Sequence, residues 1–100
     1  MIKITVLYGQ PSDQEAFESY YIKTHLPLVA EMKGVRRTEL TVFASETDGS
    51  LPVYYRMAEL YFDNQEQMEN VISSKEGQLA VADIDNFASG GATVLIGQVA

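Results

Sequence analysis

The 100-residue chain has no cysteine, no tryptophan and a single histidine, His25. The first absence excludes disulfides and thiolate chemistry and says little about compartment, because many cytosolic proteins lack cysteine. One imidazole cannot build a multi-histidine metal site within one chain, so no metal is expected. Positive charge is scarce as well: seven Lys and Arg stand against fourteen Asp and Glu, a formal net charge of -7. Such a chain repels a phosphate backbone and an anionic bilayer alike, which argues against nucleic-acid and membrane partners. No apolar run is long enough to span a bilayer, and the start, Met1 to Val6, alternates like a strand instead of forming a signal-like block. A soluble, cytoplasmic protein is the expectation. Glycine-rich phosphate loops, nucleophile elbows and paired-ligand metal motifs are also missing.

What is present suits one compact domain over residues 1–100. Hydrophobic residues make up 46% of the chain, and a chain of this size buries about two-thirds of the surface it exposes when unfolded. Residues 2–9 alternate with Ile2, Ile4, Val6 and Tyr8 on one face, the period of a half-buried strand. Gly9-Gln10-Pro11 breaks it. Ser12-Asp13-Gln14-Glu15 then has the form of a capping box with Ser12 as the cap. The following helix carries Ala16, Phe17, Tyr20, Tyr21, Thr24 and Leu28 as its apolar stripe, with His25 on the stripe's edge. Pro27 has no amide hydrogen and crowds the preceding turn, so the helix should end or kink near His25.

Val35 to Ala44 and Val53 to Phe62 read as strands joined through Asp48-Gly49, a hairpin signal that makes them antiparallel neighbours. The second places Tyr54, Ala58, Leu60 and Phe62 on one face and Val53, Tyr55, Met57 and Tyr61 on the other. A sheet covered by helices on one face would leave the second set as a large exposed patch, most simply covered by a second copy of the chain. Asp63-Asn64-Gln65-Glu66 opens a short helix, Ser73-Ser74-Lys75-Glu76 recaps a second segment, and Gly90-Gly91 precedes a last strand from Ala92 to Val99. The order predicts an α+β, ferredoxin-like βαββαβ fold: a four-stranded antiparallel sheet with helices on one face.

The candidate site residues cluster around the first helix. An imidazole with a reference pKa of about 6.5 suits proton transfer near neutral pH; the alternative is a histidine that caps carbonyls freed by Pro27. Tyr21, four residues before His25, and Tyr8, at the end of the inward face of the first strand, are candidates to position a ligand oxygen. Arg56 falls in an apolar set, where a cation needs a carboxylate, a bound anion or an exposed strand end; a surface ion pair is the default there. Asp83 or Asp85 could orient His25 from the last helical segment.

Leu7-Tyr8 with Pro11, then Phe17 and Tyr20-Tyr21-Ile22-Lys23-Thr24-His25-Leu26-Pro27-Leu28, resembles the signature of the EthD-like proteins, named for a component of an ethyl tert-butyl ether degradation system. The resemblance covers essentially the whole chain. It implies a dimeric α+β barrel in which two sheets pack together and each protomer keeps a pocket between sheet and helices. It also implies small-molecule catabolism or polyketide-type metabolism without a tightly bound cofactor. Relatives in the wider superfamily are monooxygenases, polyketide cyclases, dehydratases, decarboxylases, muconolactone isomerases and haem-degrading enzymes. On this basis the expected ligand is a small apolar or aromatic molecule, with His25, Tyr21 and Tyr8 catalytic and Phe17, Tyr20, Leu28 and Arg56 binding. The competing expectation is a non-catalytic ligand-binding or auxiliary protein of a degradative oxygenase pathway.

Overall fold

The structure, a computed structural model, describes residues 1–100. Strand β1 (Ile2–Gly9) is followed by helix α1 (Gln14–Tyr20), one π-helical turn (Tyr21–His25) and helix α2 (Leu26–Ala30). Then come β2 (Arg37–Val42), β3 (Tyr54–Phe62), α3 (Gln65–Ser73), α4 (Lys75–Asp83), a short 3-10 turn (Ile84–Asn86) and β4 (Ala92–Gln98). The antiparallel sheet has the order β2-β3-β1-β4, so β1 and β3 are central.

Alternation decides which side chains meet the helices. Ile4, Val6 and Tyr8 of β1 lie opposite Leu60, Ala58 and Arg56 of β3, and these residues join Phe17, Tyr21, Met68, Val71, Ala80 and Phe87 in the buried layer. The register slips between Tyr8 and Gly9, where Tyr54 and Arg56 take consecutive partners and Tyr55 is passed over. Such a bulge turns two consecutive side chains to one side. Tyr55, expected on the outer face, therefore packs its ring 5.2 Å from Phe17 on the helix side. Lys3, Thr5, Leu7, Met57, Glu59 and Tyr61 remain on the outer face.

The helices start where short polar side chains can accept from orphan amides. Asp13, not Ser12, caps α1, its carboxylate accepting from the Ala16 N–H at 3.1 Å, while the Ser12 N–H donates to Ser89 Oγ. Asn64 caps α3 and Ser74 caps α4, each within the polar stretch where the sequence opens that helix but, as at Asp13, one residue after its first position. The strands end at Val42 and Tyr54, so Asp48-Gly49 sits within a loop longer than a two-residue hairpin. At that turn Gly49 takes φ 85°, a left-handed conformation that glycine adopts without a Cβ penalty.

The first helix bends as Pro27 requires. The Leu26 N–H reaches back five residues to the Tyr21 carbonyl, and Pro27 falls in the first turn of α2, where its missing donor costs nothing. One extra residue in the turn shifts the helical phase. Thr24, expected in the apolar stripe, faces water, and Leu26, Val29 and Met32 approach the sheet in its place.

A candidate active site between sheet and helices

His25 is carried on the last position of the π-helical turn and is only 4% exposed. Its ring stacks on Tyr21 with centroids 5.6 Å apart and lies 4.6 Å from the ring of Phe87. It does not cap a carbonyl: Nδ1 sits 2.9 Å from Oδ2 of Asp83, at the end of α4. The other Asp83 oxygen accepts from the Tyr20 hydroxyl at 2.5 Å and from Asn86 Nδ2 at 3.0 Å. Burial alone would raise the Asp83 pKa, but these three partners outweigh it and hold the carboxyl below its usual range. An ionised carboxylate only accepts hydrogen bonds, so Nδ1 carries a proton and donates it to Asp83. Asp85, the other carboxylate expected to be within reach, is exposed.

A cavity of ≈ 60 Å³ lies beside this pair. Ile4, Val6, Ala58 and Leu60 form its sheet wall; Tyr8, Tyr21 and His25 close one end, and Leu26, Val29 and Met32 run along its side. The cavity is apolar except for His25, Thr38 and the two phenols. The Tyr21 hydroxyl is buried with no hydrogen-bond partner, an expensive state unless something else completes it. Burial pushes the Tyr21 phenol up to about 12, against the opposing pull of Arg56, and burial also raises Tyr8 strongly. Both stay neutral near pH 7 and present O–H donors. An open vestibule of ≈ 430 Å³ continues from the cavity, sharing Leu26, Val29, Met32, Thr38 and Leu40 with it.

The other candidates stand elsewhere. Arg56 is not in a surface ion pair: it is 8% exposed and clamps Glu18 through Nε and Nη2 at 2.9 and 2.8 Å, its guanidinium 4.7 Å from the Tyr21 ring centre. Arg56, Phe17, Tyr20 and Leu28 are absent from the cavity wall. Tyr20 grips Asp83 from behind, and Phe17 is a core ring between Tyr8 and Tyr55. Sequence reasoning missed Asn86, Glu18 and the wall residues Leu26, Val29 and Met32. Asn86 follows Asp83 by three positions, a spacing that puts two side chains on one face of a helical turn and could have flagged it.

Fold and site together define a small ferredoxin-like α+β protein with a histidine–aspartate pair at the end of an apolar cavity. The model of the EthD domain matches residues 9–91, and the chain belongs to the EthD family. An 11.0 kDa protein of the thcB-thcC intergenic region of Rhodococcus erythropolis is 40% identical over 95 residues, covering 95% of this chain and 91% of that protein. The crystal structure of an EthD family protein from Bacillus halodurans matches with a TM-score of 0.93 at 32% identity, over 100% of this chain and 99% of the other. SnoaB, a cofactor-independent oxygenase from Streptomyces nogalater, shares the fold with a TM-score of 0.66 at 11% identity, over 98% and 91% of the two chains.

Proposed function

We propose that the protein is a small-molecule enzyme that moves a proton without a tightly bound cofactor. The observation that carries this reading is His25 on the wall of an apolar cavity, its Nδ1 held by Asp83 and its Nε2 without a bond in the chain, with Tyr21, whose buried hydroxyl has no partner, on the same wall. A ligand with an acidic C–H or O–H beside a carbonyl would complete both groups. Nε2 takes the proton; from a C–H beside a carbonyl the electron pair passes to the carbonyl oxygen, from a phenolic O–H it stays on that oxygen, and a Tyr21 or Tyr8 hydroxyl donates to the oxyanion formed. Asp83 stays ionised and stabilises the imidazolium, which later returns the proton. Aldol-type cyclisation, dehydration and activation of a phenol toward oxygen share this first step. That SnoaB is a cofactor-independent oxygenase on the same fold supports the last of these by analogy of fold alone.

The cavity is small for a whole substrate. Its ≈ 60 Å³ is less than half of the roughly 150 Å³ that accepts a benzene ring, so it takes a reacting head group while the body lies in the vestibule. A homodimer is part of the proposal. Leu7, Met57 and Leu95 lie on the outer sheet face, Leu95 is 53% exposed, and a second sheet would cover them.

Deuterium incorporation next to the carbonyl of small aryl ketones in D2O, followed by NMR, tests the reaction. The wild type should accelerate exchange and His25→Ala should abolish it with folding and dimerisation intact. Equal exchange in the variant removes His25 from the reaction. A ligand held in stoichiometric amount and returned unchanged, with no exchange, would establish the binding-protein reading.

A further inference from the structure

We propose that the ligand is an organic anion whose apolar head enters the cavity and whose charged end rests at Arg36, at the vestibule's outer end. The assignment rests on the proton-transfer reading only for which end of the ligand enters first. The vestibule begins at Leu26, next to His25, follows Val29 and Met32, and ends at Val35, Arg36 and Arg37. No acidic residue lines it. In a chain of net charge -7 with seven cations, three of them (Lys33, Arg36 and Arg37) fall in this one short stretch.

The two arginines differ in direction. Arg37 lies on the outer sheet face, its guanidinium 4.2 Å from the Tyr61 ring centre. Arg36 is the residue before β2, fixed by its backbone N–H on the Tyr61 carbonyl at 2.8 Å, and alternation turns it toward the helix side. Its Nε pairs with Asp63 at 3.0 Å, and side-chain exposures of 63% and 56% make that pair weak and exchangeable. A guanidinium carries five N–H donors, so most remain for a carboxylate or sulfonate. The overall negative charge does not exclude an anion there, because charges beyond about 8 Å are screened at physiological salt.

The ligand class is therefore an apolar organic acid that presents a carbonyl or phenol to His25 and runs along Leu26, Val29 and Met32 to place its anionic end at Arg36.

Two fluorescent dyes that differ in charge test the assignment: 8-anilinonaphthalene-1-sulfonate and the uncharged N-phenyl-1-naphthylamine. Titrated into the full-length protein, the sulfonate should bind more tightly than the neutral dye. Arg36→Gln should weaken the sulfonate by about tenfold, the scale of one lost charge-assisted contact, and leave the neutral dye unchanged. Lys75→Gln, an exposed cation at the start of α4 outside the vestibule, should change neither, and Val29→Phe, which fills the shared wall, should weaken both. Equal affinity of the two dyes, an Arg36→Gln variant that binds the sulfonate normally, or an equal loss in Lys75→Gln would overturn the assignment. His25→Gln should keep sulfonate binding and lose proton exchange, so failure at one end is separable from failure at the other.

Discussion

Asp83→Asn keeps the size of a buried side chain and removes its charge, which makes it the sharpest perturbation of the site. Asp83 accepts from Tyr20 at 2.5 Å, His25 at 2.9 Å and Asn86 at 3.0 Å. An amide offers one oxygen and two N–H donors, so it cannot satisfy all three groups. If its NH2 faces Nδ1, the imidazole must turn a lone pair there and carry its proton on Nε2, which removes the base. If its oxygen faces Nδ1, the NH2 group confronts the Asn86 amide donor.

Hydrogen bonds to a charged group contribute about 1.5–3 kcal/mol each. Weakening two of three, with partial replacement by neutral bonds, should cost about 3 kcal/mol, or about 12–24 °C in the midpoint of a domain this size. The pH dependence has a definite sign. The native carboxyl is held below its usual range, so its stabilisation is complete above the unfolded value of about 3.9 and is lost as pH falls through the native value. The gap between wild type and variant should be constant near neutrality and close in acid. Thermal unfolding followed by circular dichroism from neutral to acid pH reads both effects. A midpoint equal to that of the wild type at neutral pH, or a gap that widens in acid, would refute the reasoning.

Glu18→Ala should destabilise the fold by about 2–3 kcal/mol, below the full 3–5 kcal/mol for breaking a buried pair, because the Glu18 side chain is 32% exposed while Arg56 is 10% exposed. Denaturant titration checks this, and the effect should shrink as pH falls through the lowered Glu18 pKa, whose main cause is the Arg56 hydrogen bond. Gly77→Ala would raise helix propensity in an isolated helix, yet here a Cβ would stand 2.2 Å from the Val71 carbonyl oxygen. The variant should lose about 1–3 kcal/mol through overpacking, and a gain in urea midpoint would contradict that close approach. Met57→Glu on the outer sheet face should convert dimer to monomer in analytical ultracentrifugation, whereas Leu79→Glu on the exposed side of α4 should not.

Element order and most of the core were legible because they depend on local signals. The period of two over Ile2–Tyr8, the polar stretches at 63–66 and 73–76 that open α3 and α4, and the antiparallel pairing of β2 with β3 need no knowledge of distant contacts. The Ser12 cap failed by one residue because Ser and Asp are comparable caps, and Ser12 is recruited by Ser89, 77 residues away. The bulge at Tyr55 was invisible because it exists only relative to the register of β1. Pro27 announced a bend but not its form, and the phase shift of a π-turn decided that Leu26 and Val29, not Thr24, face the cavity. Likewise the Glu18–Arg56 clamp and the His25–Asp83 pair join positions 38 and 58 residues apart, which only the folded chain brings together.

Because His25 is the sole histidine, its ring nitrogens can be read by NMR without assignment ambiguity. A long-range 15N–1H correlation spectrum of the neutral protein reports which nitrogen carries the proton. Protonated Nδ1 with bare Nε2, shifting in Asp83→Asn, is the result expected of a base poised at the cavity. A proton on Nε2, or a tautomer mixture indifferent to Asp83, would contradict it.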